Sequence, residues 1–273
     1  MIRGTTLLYP VIGSPVAQVR APSVYNPYFE RVGIDAVCVP LEVPEQHFPA
    51  FLRMLFAAPN VRGAMITVPH KRTAVEAVDE YSMAVRVAGA CNAVVRRPDG
   101  SLYGELFDGT GFVRGLRRWG FDPADAACLI VGSGGVGAAI AAALAEARAK
   151  SIALYDVNAE SVRTLAERLK RYFPEAEIKA GLKDPQGYQL VVNGTPLGMR
   201  PDDPLPIDVT RLQSSTLVAD AVMKVDMTPL LREASARGCR IQLGREMLFE
   251  QAPLYLEFFG FGQVAADDVR PEA

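Results

Sequence analysis

The sequence predicts an α/β protein of two domains, each built on a mostly parallel sheet. Three observations predict it. Short apolar runs of strand length alternate with segments of helical periodicity. The alternation restarts near residue 125, just after Gly120-Phe121-Asp122-Pro123, a natural linker. The length, 273 residues, suffices for one large domain or two medium ones. A first domain over 1–107 and a second over 108–240 are expected, with about 241–273 packing back on the first.

Composition narrows the class. Hydrophobic residues make up 49% and charged residues 22%, as in a well-packed globular chain. The net charge is −2 and no basic cluster occurs, which argues against nucleic acid as a partner. No apolar run is long enough to span a bilayer. The apolar patch Thr6–Ile12 lacks a signal-peptide core and cleavage site, so it reads as a first strand. The four cysteines are scattered without a C-x-x-C pair, and the two histidines are His47 and His70. No metal site is expected; buried, reduced thiols in a reducing cytoplasm are.

In chain order, 6–13 reads as a strand. A loop runs through Pro22, and Ser23 to Val32 is a helix closed by Gly33. Ala36 to Pro40 is a strand. Pro44 to Ala57 is a helix with Phe48, Phe51, Leu52 and Leu55 inward. Gly63 to Val68 is a strand and Thr73 to Tyr81 a helix. Ala90–Arg96 and Leu102–Phe107 flank Pro98-Asp99-Gly100 as a hairpin. Gly109 to Trp119 is a helix. After the central segment come a helix over Glu160–Tyr172, strands at Ala176–Lys179, Leu190–Asn193 and Leu217–Ala221, and a helix over Thr228–Arg237. A strand at Arg240–Leu243 and a last helix over Gln251–Phe259 follow, with fraying from Ala265.

The central segment, 127–156, is the most informative. The apolar run Ala127–Val131 resembles a strand buried on both faces. Gly132-Ser133-Gly134-Gly135-Val136-Gly137 follows in G-x-G-x-x-G spacing, then an Ala-rich helix to about Arg148, then Ser151–Tyr155 and Asp156. Gly132 permits the tight turn, Gly134 lets backbone approach a diphosphate, and Gly137 lets helix lie on strand. The diphosphate meets free N–H groups at the positive end of the helix dipole. With strand, helix and terminal acid in place, the motif predicts a Rossmann-type dinucleotide site. Asp156 suits the ribose hydroxyls and repels a 2′-phosphate, and Val157, Asn158 and Ala159 follow it without an Arg. NAD is therefore favoured over NADP. Asp156 could instead cap the next helix, a role Asn158 also suits.

Candidate chemistry sits at strand ends. Lys71 follows Thr67-Val68-Pro69-His70, Asn92 ends Gly89-Ala90-Cys91-Asn92, and Asp108 opens Asp108-Gly109-Thr110-Gly111-Phe112. A nicotinamide enzyme acting on an alcohol needs a proton acceptor beside the carbinol. A partly buried Lys serves, oriented by a carboxylate. The alternatives are an exposed cation at a helix start for Lys71 and an N-cap for Asp108.

Seven segments in order resemble the shikimate/quinate dehydrogenase family: Val11–Pro15, Ile66–Lys71, Gly89–Asn92, Asp108–Phe112, Gly132–Gly137, Asn193-Gly194-Thr195-Pro196-Leu197-Gly198-Met199 and Met247–Ala252. The resemblance implies a substrate-binding first domain and an oxidoreductase that reduces 3-dehydroshikimate or oxidises shikimate or quinate. It implies Lys71 and Asp108 as the catalytic pair and Thr67, Asn92 and Gln251 as substrate-binding residues. Asn193 and Thr195 would join the glycine loop at the cofactor.

Departures concern the substrate. The family's first loop carries two hydroxyl residues for the substrate carboxylate, in a pattern like H-S-x-S-P. Here it reads Gln18-Val19-Arg20-Ala21-Pro22. Val19 and Ala21 remove charge-assisted hydrogen bonds worth roughly 1.5–3 kcal/mol each. Met65, Met223 and Leu106-Phe107 also stand where the family has polar residues or Tyr. Either Arg20, Gln18 or Tyr25 rebuilds an anion site, or the substrate is a less charged ring alcohol or ketone. The competing reading is an NAD(H)-binding sensor or scaffold without turnover. The expected partner is a small-molecule substrate, in a monomer or homodimer.

Overall fold

The structure, a computed structural model, describes residues 2–270. It divides into two compact units, Met1–Phe107 with Gln251–Ala273, and Asp108–Glu250.

The first unit holds six strands: β1 (Leu7–Gly13), β2 (Ala36–Glu42), β3 (Gly63–Ile66), β4 (Glu80–Tyr81), β5 (Ala93–Arg96) and β6 (Leu102–Glu105), in the order β2-β1-β3-β5-β6-β4. β1 runs parallel to β2 and β3, whereas β5 runs antiparallel to β3 and β6. Its helices begin with α1 (Ala21–Val32), α2 (Phe48–Leu55), α3 (Thr73–Ala77) and α4 (Met83–Ala88). The Asn26 amide donates to the Cys38 carbonyl and accepts the Cys38 N–H, at 3.0 and 2.7 Å, pinning α1 to β2.

Several boundaries differ from the sequence expectations. α1 starts at Ala21, not Ser23, because Pro22 sits in the first turn, where its missing N–H leaves no bond unmade. The 44–57 helix opens with a 3-10 turn, Glu45–His47. The helix expected over Thr73–Tyr81 stops at Ala77, and Glu80–Tyr81 instead forms β4 beside β6. The cause is distant in sequence. The Asp79 carboxylate accepts the Leu102 N–H and the Asp79 N–H donates to the Leu102 carbonyl, drawing this segment onto the sheet edge. Ser82 then caps α4, an unforeseen helix.

The second unit holds six parallel strands: β7 (Ala127–Val131), β8 (Ser151–Tyr155), β9 (Glu177–Ala180), β10 (Leu190–Asn193), β11 (Leu217–Asp220) and β12 (Arg240–Gln242), in the order β12-β11-β10-β7-β8-β9. The chain reverses its progress across the sheet between β7 and β10, the switch point where this architecture opens a ligand crevice. Helices α5 (Asp108–Arg118), α6 (Gly135–Glu146), α7 (Ala159–Tyr172) and α8 (Pro229–Ala236) belong to this unit. Leu129, Val131, Val191, Val218, Leu230 and Leu231 form part of its core. Gly109 lets α5 lie hard against α6, since a Cβ there would overlap the Ala139 carbonyl.

The last long helix, α9 (Gly244–Phe258), begins seven residues before the helix expected at Gln251. Residues 241–250 belong to the second unit, not the first as expected. β12 pairs with β11, and the Gln242 amide donates to the Phe112 carbonyl at 3.3 Å. From Gln251 onward the chain belongs to the first unit, where Tyr255 and Phe258 meet the Phe107 ring edge-on and Phe259 packs on Tyr9. Residues expected to fray include α10 (Ala266–Val269), held by buried Val269; 271–273 lie outside the described residues. Among the described residues no helix is long and apolar enough to cross a membrane.

Gly109→Ala is expected to destabilise the protein by about 1–3 kcal/mol, because backbone must separate to admit the methyl group. Urea unfolding followed by circular dichroism measures this.

Candidate functional site

The first unit gathers Thr67, Lys71 and Asn92 through backbone bonds at the ends of β1 and β3, and Gln251 stands on α9 four residues before Tyr255, which bonds the Asn92 carbonyl. The Thr67 N–H donates to the Ile12 carbonyl at 2.8 Å, and the Ser14 N–H to the Val68 carbonyl at 3.1 Å. Gly13 permits this closeness, since a Cβ there would overlap Thr67 and the Val68 carbonyl. The Lys71 carbonyl accepts the Cys91 N–H at 2.7 Å, placing Lys71 beside the segment that carries Asn92. Lys71 itself is half-buried.

His70 anchors the same loop. Its Nε2 lies 2.7 Å from the Val43 carbonyl, and its ring stacks on Phe48 at 4.2 Å. Donation to a carbonyl makes that nitrogen the protonated one.

Asn92 is held on three sides. Its Oδ1 accepts the Phe107 N–H at 2.9 Å, and its carbonyl accepts the Ile66 N–H at 2.7 Å and the Tyr255 hydroxyl at 3.1 Å. Its Nδ2 is buried and has no hydrogen-bond partner, and neither has the buried Oε1 of Gln251. Buried amide atoms without partners are uncommon in folded proteins. Cys91, adjacent to Asn92, is a buried thiol pushed up to about 12 by burial, so no thiolate stands there. Positions 19 and 21 carry no hydroxyl: Val19, in the loop before α1, is half-buried and Ala21, the first residue of α1, is buried. The Gln18 amide donates to the Pro15 carbonyl at 2.8 Å, and Arg20 is exposed.

The second unit carries the glycine loop at the end of β7. A Cβ on Gly137 would overlap the Gly132 carbonyl, so helix and turn touch there. Gly132 has φ 106° and lies against Gly194 and Thr195 across the switch point, while Ser133 is buried. A Cβ on Gly134 would meet only open space, and Gly134 stands at the N-cap of α6 with no side chain to satisfy the first-turn N–H groups. Half-buried Gly135 and Val136 continue that turn. The loop therefore fits a diphosphate. Asp156 receives the Ser133 N–H on one oxygen at 2.6 Å and the Asn158 N–H on the other at 2.9 Å. It is not the cap of α7. Asn158 is, accepting from Glu160 and Ser161.

Asn193 and Thr195 form one buried network with Asp220. The Asn193 amide donates to Asp220 Oδ1 at 3.0 Å and to the Leu197 carbonyl at 2.9 Å. Thr195 donates its hydroxyl and N–H to Asn193 Oδ1, and Thr228 donates to Asp220 Oδ2 at 2.7 Å. Asp220 thus fixes the loop after β10. The sequence marked it only as a strand end; the acid ending an apolar strand was the signal available. Burial pushes its carboxyl up to about 6, against three opposing hydrogen bonds. Asp108 is buried in the first turn of α5. Among the described residues no cluster of three or more His, Cys, Asp or Glu could hold a metal ion.

Residues 11–94 match the family model described as the shikimate dehydrogenase substrate binding domain. The shikimate dehydrogenase (NADP(+)) of Acidiphilium cryptum is 37% identical over 269 residues, covering 98% of this chain and 95% of its own. The chain belongs to the shikimate dehydrogenase family. It is an NAD(P)-dependent dehydrogenase. Shikimate 5-dehydrogenase from Listeria monocytogenes, solved with shikimate and NAD, is 26% identical and superposes with a TM-score of 0.89, covering 98% of this chain and 96% of its own. The 5-ketofructose reductase of Gluconobacter sp. strain CHM43 is also 26% identical, with a TM-score of 0.85, covering 97% and 96%. The structures the chain resembles thus carry names for both a charged ring acid and an uncharged keto sugar.

Folded Asp220 holds its proton up to about pH 6, whereas an unfolded Asp releases it near 3.8. The stability it contributes is therefore full below 3.8 and lost as pH rises towards 6. Asp220→Asn removes that dependence. The wild-type minus variant difference in unfolding free energy is expected to fall by roughly 3 kcal/mol between pH 4 and 6 and then stay level, as denaturant midpoints across pH would show.

Proposed function

We propose that the protein is an NAD-preferring dehydrogenase whose substrate is a ring alcohol or ketone without the carboxylate of shikimate. The observation that carries this is the pair of buried amide atoms without partners, Asn92 Nδ2 and Gln251 Oε1, in the unit matched to a substrate-binding domain. One donates and one accepts. A polyol or hydroxy-ketone ring supplies the complementary acceptor and donor. Thr67, at the end of β3, lines the same pocket.

Lys71 is the proton donor and acceptor at the carbinol oxygen, and Asp108 is the second residue of the catalytic pair. A half-buried ammonium on a fixed loop suits this exchange. A bound nicotinamide would supply or accept the hydride. The glycine loop, Ser133 and Val136 hold its diphosphate, with Asn193 and Thr195 across the switch point.

NAD rather than NADP is supported by Asp156. Its two oxygens already face N–H donors, and a 2′-phosphate would bring like charge against them. Val157, 93% exposed, follows where a guanidinium would be needed. The curated relatives carry NADP(+) in their names, so the preference separates this chain from them.

The altered substrate is supported by Val19 and Ala21. Two apolar side chains at positions 19 and 21 withdraw two hydroxyl donors from a ring carboxylate, and the 5-ketofructose reductase of similar fold carries an uncharged ketone in its name.

Steady-state kinetics test each part. Lys71→Ala is expected to lower kcat by about 100- to 10,000-fold with NAD(H) binding retained. The wild type is expected to favour NAD over NADP, and Asp156→Ser with Val157→Arg to reverse the ratio. The Michaelis constant for 5-ketofructose is expected to lie well below that for shikimate, and Val19→Ser with Ala21→Ser to lower the latter. Efficient wild-type turnover of shikimate at micromolar Michaelis constant contradicts the substrate assignment.

A further inference from the structure

Among the described residues of the first unit, apart from Arg270, which has an ion-pair contact with Asp267, four buried polar side-chain atoms lack hydrogen-bond partners: Tyr25 OH, His70 Nδ1, Asn92 Nδ2 and Gln251 Oε1. Asn92 and Gln251 are explained by a substrate ring. His70 is positioned by its other nitrogen and its stacking on Phe48, and Nδ1 is a bare acceptor rather than a hydroxyl donor. Tyr25 remains.

Tyr25 is 2% exposed and lies on α1, four residues after Ala21. Residues four apart share a helix face, and helical side chains lean towards the N-terminus. Tyr25 thus shares a face of α1 with Ala21, one of the two positions without a hydroxyl. Its ring meets Tyr255 edge-on at 6.3 Å. Tyr255 in turn donates to the Asn92 carbonyl and stands four residues after Gln251 on α9. Tyr255 thus joins Tyr25 to the backbone of Asn92 and, along α9, to Gln251.

A buried hydroxyl with no partner is unfavourable, and Phe would fill the same volume without that penalty. Burial raises the phenol pKa well above its usual 10, so the group remains a neutral O–H donor. A neutral donor pairs with an uncharged hydroxyl or carbonyl oxygen. One such donor in apolar surroundings does not replace two lost partners of a carboxylate.

We propose that the Tyr25 hydroxyl determines substrate specificity in this site, donating a hydrogen bond to an uncharged oxygen of the ring in place of the hydroxyls absent at positions 19 and 21. This rests on the reading of the first unit as the substrate site.

The test is Tyr25→Phe in the full chain, with 5-ketofructose and shikimate as probes and NAD(H) as cofactor. For the probe the wild type turns over better, the Michaelis constant is expected to rise about 3- to 10-fold, the value of one neutral hydrogen bond. The change in kcat is expected to stay below about twofold, the NAD(H) constant to hold, and Tm to hold or rise. Adding Ala21→Ser to the variant is expected to recover part of the loss, which a packing defect would not allow. An unchanged Michaelis constant, or a loss accompanied by a lowered Tm and no recovery, overturns the assignment. So does a wild type that neither turns over nor is thermally protected by either probe. Lys71→Ala separates the two levels. If it stays fully active, the reading of the site itself fails. If it is inactive while Tyr25→Phe is unchanged, only the role of Tyr25 fails.

Discussion

The site depends on one constraint: buried backbone and amide groups must find partners, and around Asn92 almost all of them do. A single residue there receives the end of β3, the start of the Phe107 segment and the Tyr255 hydroxyl. Those bonds fix the orientation of the side chain, so the one atom left over, Nδ2, points where the fold puts it rather than where solvent takes it. Burial of such an atom is unfavourable by about 1–3 kcal/mol unless something outside the chain completes it. Binding energy for a ring substrate is in this sense prepared before the ligand arrives.

The second unit follows the same logic with charge. Asp220 is buried on β11, and its three donors come from β10, from the turn after β11 and from the cap of α8. The loop carrying Asn193 and Thr195 is thereby fixed opposite Gly132. The glycines act through distance. Gly137 brings helix to turn, whereas Gly134 keeps open a face that no side chain fills. A rigid sheet with one uncovered helix start is what a diphosphate needs.

How much of this was legible in the sequence varied with what set each element. β7, β8 and β10 fall at the residues the apolar runs marked, because strands of a parallel sheet covered on both faces have few polar residues to blur their ends. β4 and α4 were missed. Both are short, and their positions are set by Asp79 bonding to Leu102, a pairing that no local pattern contains. The early start of α9 was hidden because residues 244–250 pack in one unit and the rest of the helix in the other. Glycine spacing pointed to the cofactor loop, and strand ends together with the family resemblance pointed to Lys71 and Asn92. The Tyr255 bond to Asn92 and the lone hydroxyl of Tyr25 became visible only through tertiary contacts.

A crystal structure of the protein with NAD and the ring ketone or alcohol it turns over fastest tests the central claim most directly. The account predicts an uncharged substrate oxygen within about 3.2 Å of Asn92 Nδ2, the range of an N–H···O bond, with Gln251 Oε1 accepting from the same ring. A ring bound elsewhere, or both amide atoms satisfied by ordered water while substrate occupies a different pocket, would contradict it.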